Sequence, residues 1–177
     1  MDEQTLNVRD IPVDKKISDL VDELNRIFGE QGYDALEIGG PVSEIHIDQV
    51  EKELNVRFPE DYKNFLRVYG SIRFGEEGVY GIIEANPLSE EFQTALGETN
   101  RLRSESFMPH GLVVISGSDY MSFVCINTDS TQQTHKLAYY DSEEKSVYAY
   151  THADSFKAFF EQFLSDTISA YTKDVSQ

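Results

Sequence analysis

The sequence predicts an α+β domain with a mainly antiparallel sheet flanked by helices. Three observations carry this. Residues 43–70 hold two helical repeats joined by a proline-marked turn. After Gly70 the apolar period changes from helical to alternating, and turn residues divide the chain into short β-rich runs. A final stripe of large apolar residues at helical spacing then closes the chain. Helices, then hairpin-linked strands, then a helix is the α+β order.

Residues 1–13 are polar and expected to be loosely held. With Asp14 as N-cap, Ile17, Leu20, Val21, Leu24, Ile27 and Phe28 mark a first amphipathic helix, ended by Gly29 and Gly32. Residues 33–42 contain Gly39-Gly40-Pro41 and read as a turn or short linker. Residues 1–42 are thus expected to form an N-terminal helix and linker packed on a domain spanning 43–170.

Either Ser43 or Asp48 caps the next helix, Asp48 with Glu51 as the reciprocal half of a capping box. Ile47, Val50 and Leu54 share its apolar face, and Asn55 closes it in the left-handed conformation. Pro59 suits the first position of the third helix, where its missing N–H has no partner to lose. Tyr62, Phe65, Leu66 and Tyr69 form its stripe, expected to pack on the sheet, with Lys63 on the exposed side. Gly70 fits the left-handed position just beyond.

Residues 71–74 and 79–83 read as a strand pair around the turn 75–78. Ser89 suits the cap of a fourth helix carrying Phe92, Ala95, Leu96, Thr99 and Leu102, with Gly97 weakening its middle. Residues 112–116 suit a strand buried on both faces. Residues 120–127, 137–141 and 147–151 continue the sheet, the last pair across the turn 142–145. An Asp154 cap opens a last helix that buries Phe156, Phe159, Phe160, Phe163 and Leu164.

The chain has 177 residues, enough to bury about 70% of its unfolded surface. With 40% hydrophobic and 12% aromatic residues it has the material for a core. Its formal net charge is −17, which sets it against nucleic acid and anionic membranes as ligands and permits a basic protein partner. The single cysteine, Cys125, has no partner for an internal disulfide and fits a reducing cytoplasm. MDEQTLNVRD lacks the apolar core of a secretory signal, and no apolar run is long enough to span a bilayer.

Catalytic patterns are absent from the sequence. His46, His110, His135 and His152 are scattered without metal-ligand spacing, so neither metal nor cofactor is expected. Ser116-Gly117-Ser118-Asp119 lacks the nucleophile-elbow pattern and reads as a turn. Gly75-x-x-Gly78 is too short for a phosphate loop and carries two glutamates. Cys125 has no basic neighbour to activate it.

One run stands out. Between residues 76 and 98, Glu76, Glu77, Glu84, Glu90, Glu91 and Glu98 occur without a single Lys or Arg, interleaved by Tyr80 and Phe92. It reads either as a solvated face or as an acidic, aromatic-bearing patch that docks a basic partner. As a docking patch its candidate residues are Glu76, Glu77, Tyr80, Glu84, Glu90 and Glu91, with Tyr80 or Phe92 as the apolar anchor.

Ile47, Glu51, Leu54, Phe58-Pro59-x-Asp61-Tyr62, Phe65-Leu66 and Tyr69-Gly70 resemble the opening of the SUKH superfamily. Val79-Tyr80-Gly81, the runs 112–117 and 123–127, Ala138-Tyr139-Tyr140-Asp141 and Ala153-x-Ser155-Phe156-x-x-Phe159-Phe160 continue the likeness in order. The resemblance covers about residues 43–165, with the N-terminal helix outside its clearest part. It departs from the family pattern in the turn 117–122, where a Gly-x-Gly-Asn type is frequent, and at Asn127, where aspartate is frequent.

This resemblance implies a binding protein rather than an enzyme. Bacterial members of the superfamily are immunity proteins that bind a cognate toxin and block its active site. Nuclease toxins carry basic clefts, which an acidic inhibitor suits by electrostatic complementarity. The leading expectation is a cytoplasmic immunity protein; the alternative is a regulatory scaffold like the fungal cell-wall-synthesis regulators. The oligomeric state stays open.

Overall fold

Helix α1 (Lys15–Gln31) begins where Asp14 Oδ1 accepts the N–H groups of Lys16 (3.0 Å) and Ile17 (3.3 Å), the expected cap. The computed structural model describes residues 14–31, 36–117, 121–129 and 136–174. Expectations for residues 1–13, Gly32, the turn at Ser118 and Asp119, Tyr120 and His135 lie outside the described residues. Gly29 lies inside α1 rather than ending it. Phe28 packs its ring 4.8 Å from Tyr171 and 5.3 Å from Phe74, so α1 shares the main core.

Helix α2 (Glu44–Leu54) follows Ser43 at the cap position, which decides between the two candidates. The Ser43 side chain makes no capping bond, and its hydroxyl lies 3.4 Å from Glu84 Oε2. Asn55 ends α2 at φ 55°, as its short polar side chain permits. Helix α3 (Glu60–Tyr69) starts one residue later than expected, because Pro59 stands at the cap itself with φ −65° and extended ψ.

The stripe of α3 does not face the sheet alone. Phe65 lies 5.2 Å from the Phe156 ring and 5.0 Å from Phe160, both on the last helix. Tyr62 is fully buried, and its hydroxyl donates to Tyr80 O at 2.9 Å.

Glu51 corrects two expectations at once. It is 1% exposed and caps nothing in α2. Its carboxylate accepts Phe58 N–H at 2.6 Å and pairs with Lys63 Nζ at 2.9 Å and Arg57 Nη1 at 3.0 Å. Lys63, expected on the solvent side, therefore points inward along the α2–α3 seam, with its side chain 15% exposed. The physical reason is the cost of an unpaired buried carboxylate, which no apolar periodicity reports.

A small sheet follows in the order β1-β2-β3: β1 (Glu37–Ile38), β2 (Ile72–Phe74) and β3 (Glu77–Val79). β1 falls in the segment expected to be a linker, where two residues are too few to show a period. Phe74 pairs with Glu77, so the hairpin turn is the two residues Gly75-Glu76, tighter than expected. Beyond β3 the chain crosses the end of α3 backbone to backbone. A Cβ on Gly81 would sit 1.6 Å from Gly70 O, and Ile82 N–H donates to that same oxygen at 3.2 Å. Only glycine fits there.

The main sheet is an antiparallel meander, β4-β5-β6-β7: β4 (Leu112–Gly117), β5 (Ser122–Asn127), β6 (Leu137–Asp141) and β7 (Ser146–Ala149). Tyr80 N–H donates to Ile115 O at 2.7 Å, which closes the outer edge of β4. Strand alternation gives this sheet two buried faces. Val113, Ile115, Val124 and Ile126 join the core with α1, α2, α3 and α5 (Phe156–Asp174). Val114, Phe123, Cys125 and Tyr140 face the other way, against Leu102 of α4 (Ala95–Glu105).

Two caps differ from the expected ones. Thr94, not Ser89, caps α4 by accepting Gly97 N–H at 3.0 Å, so Phe92 lies in the preceding loop. Ser155, not Asp154, accepts Ala158 N–H at 3.2 Å at the start of α5.

Candidate partner-binding surface

The tight turn of the β2–β3 hairpin turns Glu76 and Glu77 outward, both exposed. The loop 89–94 comes up beside it and is held by its own side chains. Ser89 Oγ accepts Glu91 N–H at 3.3 Å, and Thr94 Oγ1 donates to Glu91 O at 2.8 Å. Gly97 lets the loop lie on α4, because a Cβ there would meet Glu91 O at 2.4 Å.

Gln93 joins loop and hairpin. It is buried with φ 64°; its Nε2 donates to Glu76 O at 2.7 Å, and its N–H reaches Glu98 Oε1 at 3.3 Å. Glu98 is itself buried and held by Arg101 at 2.7 Å. This staple brings Glu76 together with the exposed pair Glu90 and Glu91 and with Phe92, which is 49% exposed.

Two of the six candidate residues behave differently. Tyr80 is 2% exposed and belongs to the core against α4, so it is not a surface anchor. Its backbone continues the hairpin onto the edge of β4, and that turns its ring inward. Glu84 lies at the start of α2. It accepts Ser43 N–H at 2.9 Å and sits 2.9 Å from His46 Nδ1. Partial burial alone would raise its carboxyl, but the Ser43 N–H, the His46 ring and the Ser43 hydroxyl together hold it below the usual carboxylate range. Glu84 ties 82–84 to α2 rather than joining the exposed group.

Beside Phe92 a groove of about 870 Å³ opens between the end of α2 and α4, walled by Glu53, Asn55, Glu90, Phe92, Arg103 and His110. Arg103 forms its floor. Its guanidinium donates to Leu54 O at 3.0 Å and to His110 O, and burial pulls it below the usual arginine range. Sequence reasoning missed Glu53, Asn55 and Arg103, since only the packing of α2 on α4 brings them to Phe92.

No group of three or more His, Cys, Asp or Glu among the described residues could hold a metal ion. Cys125 is fully buried, and burial pushes its thiol well above the usual range. Native protein is therefore expected to react with a soluble aromatic disulfide only as fast as the fold opens. Reaction at the rate of a free thiol would contradict this burial. No described helix is long and apolar enough to cross a membrane.

A family model described as SMI1-KNR4 cell-wall, SUKH_5, matches residues 17–165. The match takes in nearly all of α1, which the resemblance over 43–165 left outside, and runs through every strand into α5. With that span matched and the α+β order in place, the chain belongs to the SUKH_5 family, a branch of the SUKH superfamily.

Proposed function

We propose that this chain is a cytoplasmic, non-enzymatic immunity protein that binds and blocks the basic catalytic domain of a cognate polymorphic toxin, most simply a nuclease. One observation carries the reading: Glu76, Glu77, Glu90 and Glu91 stand exposed around the half-exposed Phe92, on loops tied together by Gln93. Such a surface meets a phosphate-binding cleft by charge, while an aromatic side chain supplies contact area at short range. Phe92 takes the anchoring role for which Tyr80 is too deeply buried.

Where a toxin domain is encoded beside this chain, stopped-flow association with it tests the surface. Glu76→Lys with Glu77→Lys is expected to slow association about tenfold at low salt and to flatten its salt dependence. Phe92→Ala is expected mainly to speed dissociation. An on-rate indifferent to salt and to the double reversal would sink the acidic-face mechanism. Co-expression tests the role itself: the chain should restore growth to cells making that toxin domain.

The description of the matched family, with its reference to the cell wall, favours one second reading. In it the same surface docks an endogenous basic regulator. No rescue from any neighbouring toxin, together with an altered cell wall on deletion, would select it.

A further inference from the structure

Strand alternation puts Asp141 and Ser146 on one face of the main sheet, with Tyr139 and Tyr148 in the next row. Farther along, this face is covered, where Tyr150 packs 5.9 Å from Phe159 of α5. Toward Asp141 the cover stops. A hollow of about 340 Å³ opens there, with Tyr139, Asp141 and Tyr148 among its walls.

Its chemistry suits a cation. Tyr148 is exposed and Tyr139 half-buried, so both offer ring surface. Asp141 Oδ1 accepts the N–H groups of Glu143 (2.9 Å) and Glu144 (2.8 Å), which holds the carboxylate at the head of the turn. The Tyr148 hydroxyl donates to Glu144 Oε2 at 2.5 Å, which fixes the ring and brings a second carboxylate to the rim. That bond, with the charges of Glu144 and Asp141, pushes the Tyr148 phenol above its usual range, as a negative field would. No Lys, Arg or His lines the hollow, and Lys145 turns its Nζ to the Phe107 ring, 4.7 Å from the centroid.

The hollow shares one end of the sheet with the acidic hairpin. Tyr80 N–H donates to Ile115 O, and Ser116 Oγ donates to Gly78 O at 2.9 Å, so the turn Gly75-Glu76 lies toward the Gly117 end of β4. Gly117 pairs with Phe123 and Ser122 with Asp141, which places the hollow at that same end. Three strand spacings, about 14 Å, separate β3 from β6. One partner with an interface of standard size spans that distance.

We propose that this hollow receives an arginine side chain of the basic partner, its guanidinium laid on the Tyr139 and Tyr148 rings and paired with Asp141. The inference rests on the partner proposed above and gives it a second contact, apart from Glu76 and Glu90. A guanidinium stacks on aromatic faces while its fork pairs with a carboxylate, which a compact ammonium does less well. A cation over an exposed ring gains only about two- to fivefold in affinity. The hollow therefore serves as one contact of a larger interface and not as a receptor for a free ion.

NMR on the full chain tests the site alone, with N-acetyl-arginine amide as probe at constant ionic strength. The Tyr139 and Tyr148 ring signals are expected to shift saturably. The neutral isostere N-acetyl-citrulline amide should leave them in place, and N-acetyl-lysine amide should bind more weakly. Asp141→Asn keeps an acceptor for both turn N–H groups and removes the charge; it should weaken the arginine probe about fivefold. Where a toxin domain is encoded beside the chain, Asp141→Asn and Tyr148→Ala should each speed its dissociation about tenfold. If Tyr148→Ala fails to fold, Asp141→Asn decides.

Rings indifferent to the arginine probe, or equally responsive to citrulline, overturn the site. An equal response to lysine overturns the guanidinium as its occupant. Unchanged dissociation of the toxin domain from both variants overturns the hollow as a partner contact. An arginine-specific response in a chain that binds no toxin domain supports the site and sinks the immunity reading, so the two failures are told apart.

Discussion

Glu51→Ala is expected to destabilise the protein by about 3–5 kcal/mol, the cost of removing one partner from a buried charge pair. The native protein holds Glu51 at 1% exposure with Lys63, Arg57 and the Phe58 N–H gathered on one carboxylate. Without it, a buried N–H and a mostly buried ammonium lose their acceptor. Lys63→Ala should cost nearly as much, because it leaves the carboxylate with one N–H and the solvent-facing Arg57, whose side chain is 82% exposed. Arg57→Ala itself should cost about 0.5 kcal/mol or less, as exposed pairs do. Replacing both partners with apolar residues of similar volume, Glu51→Leu with Lys63→Met, should recover much of the loss. Denaturant melts of the four variants measure these differences. Equal, small effects of Lys63→Ala and Arg57→Ala would show that the seam between α2 and α3 is held by packing alone.

The second large effect is expected at Phe65. Phe65→Ala should cost about 3–5 kcal/mol through the cavity it leaves, and lower the melting temperature by about 10 °C. Phe65 is 3% exposed and touches four rings: Tyr62 at 5.9 Å, Tyr69 at 6.1 Å, Phe156 at 5.2 Å and Phe160 at 5.0 Å. Those rings belong to two helices that pack rigidly, so collapse around the gap would be incomplete. A cleft of about 230 Å³ already borders Phe65, Phe156 and Phe160, and the truncation would enlarge it. Phe65→Leu keeps most of the volume and should lose far less. A melt in which alanine and leucine behave alike would show that the ring cluster adds little beyond its area.

Sequence reading succeeded where one period dominates. The stripes of α1, α3 and α5, the left-handed Asn55, a positive-φ Gly70 just past α3, and the strands of the meander all follow from residue spacing and turn chemistry. It failed where a distant partner decides. Nothing in the local sequence says that Lys63 turns inward, because the reason is a carboxylate twelve residues earlier on another helix. Tyr80 reads equally well as an exposed aromatic or a core one until the edge of β4 is in place beneath it. Glu98 belongs to the same acidic run as Glu90 and Glu91, yet Arg101 one helical turn later draws it into the interior. The exposed cluster was legible as a charge pattern; its division into surface and structural carboxylates required the fold.

The two-sided burial of β4 and β5 carries a consequence for how such a chain can change over generations. With a helical layer on each face, these strands give no side chain to a partner, and their interior must stay as it is for the protein to fold. The exposed groups sit instead on the 75–77 turn and the 90–92 loop, where Glu76 and Glu90 contribute little to the core. New specificities can therefore arise by substitution at the rim without retuning the interior. A lineage could replace its rim repeatedly while inheriting the same framework.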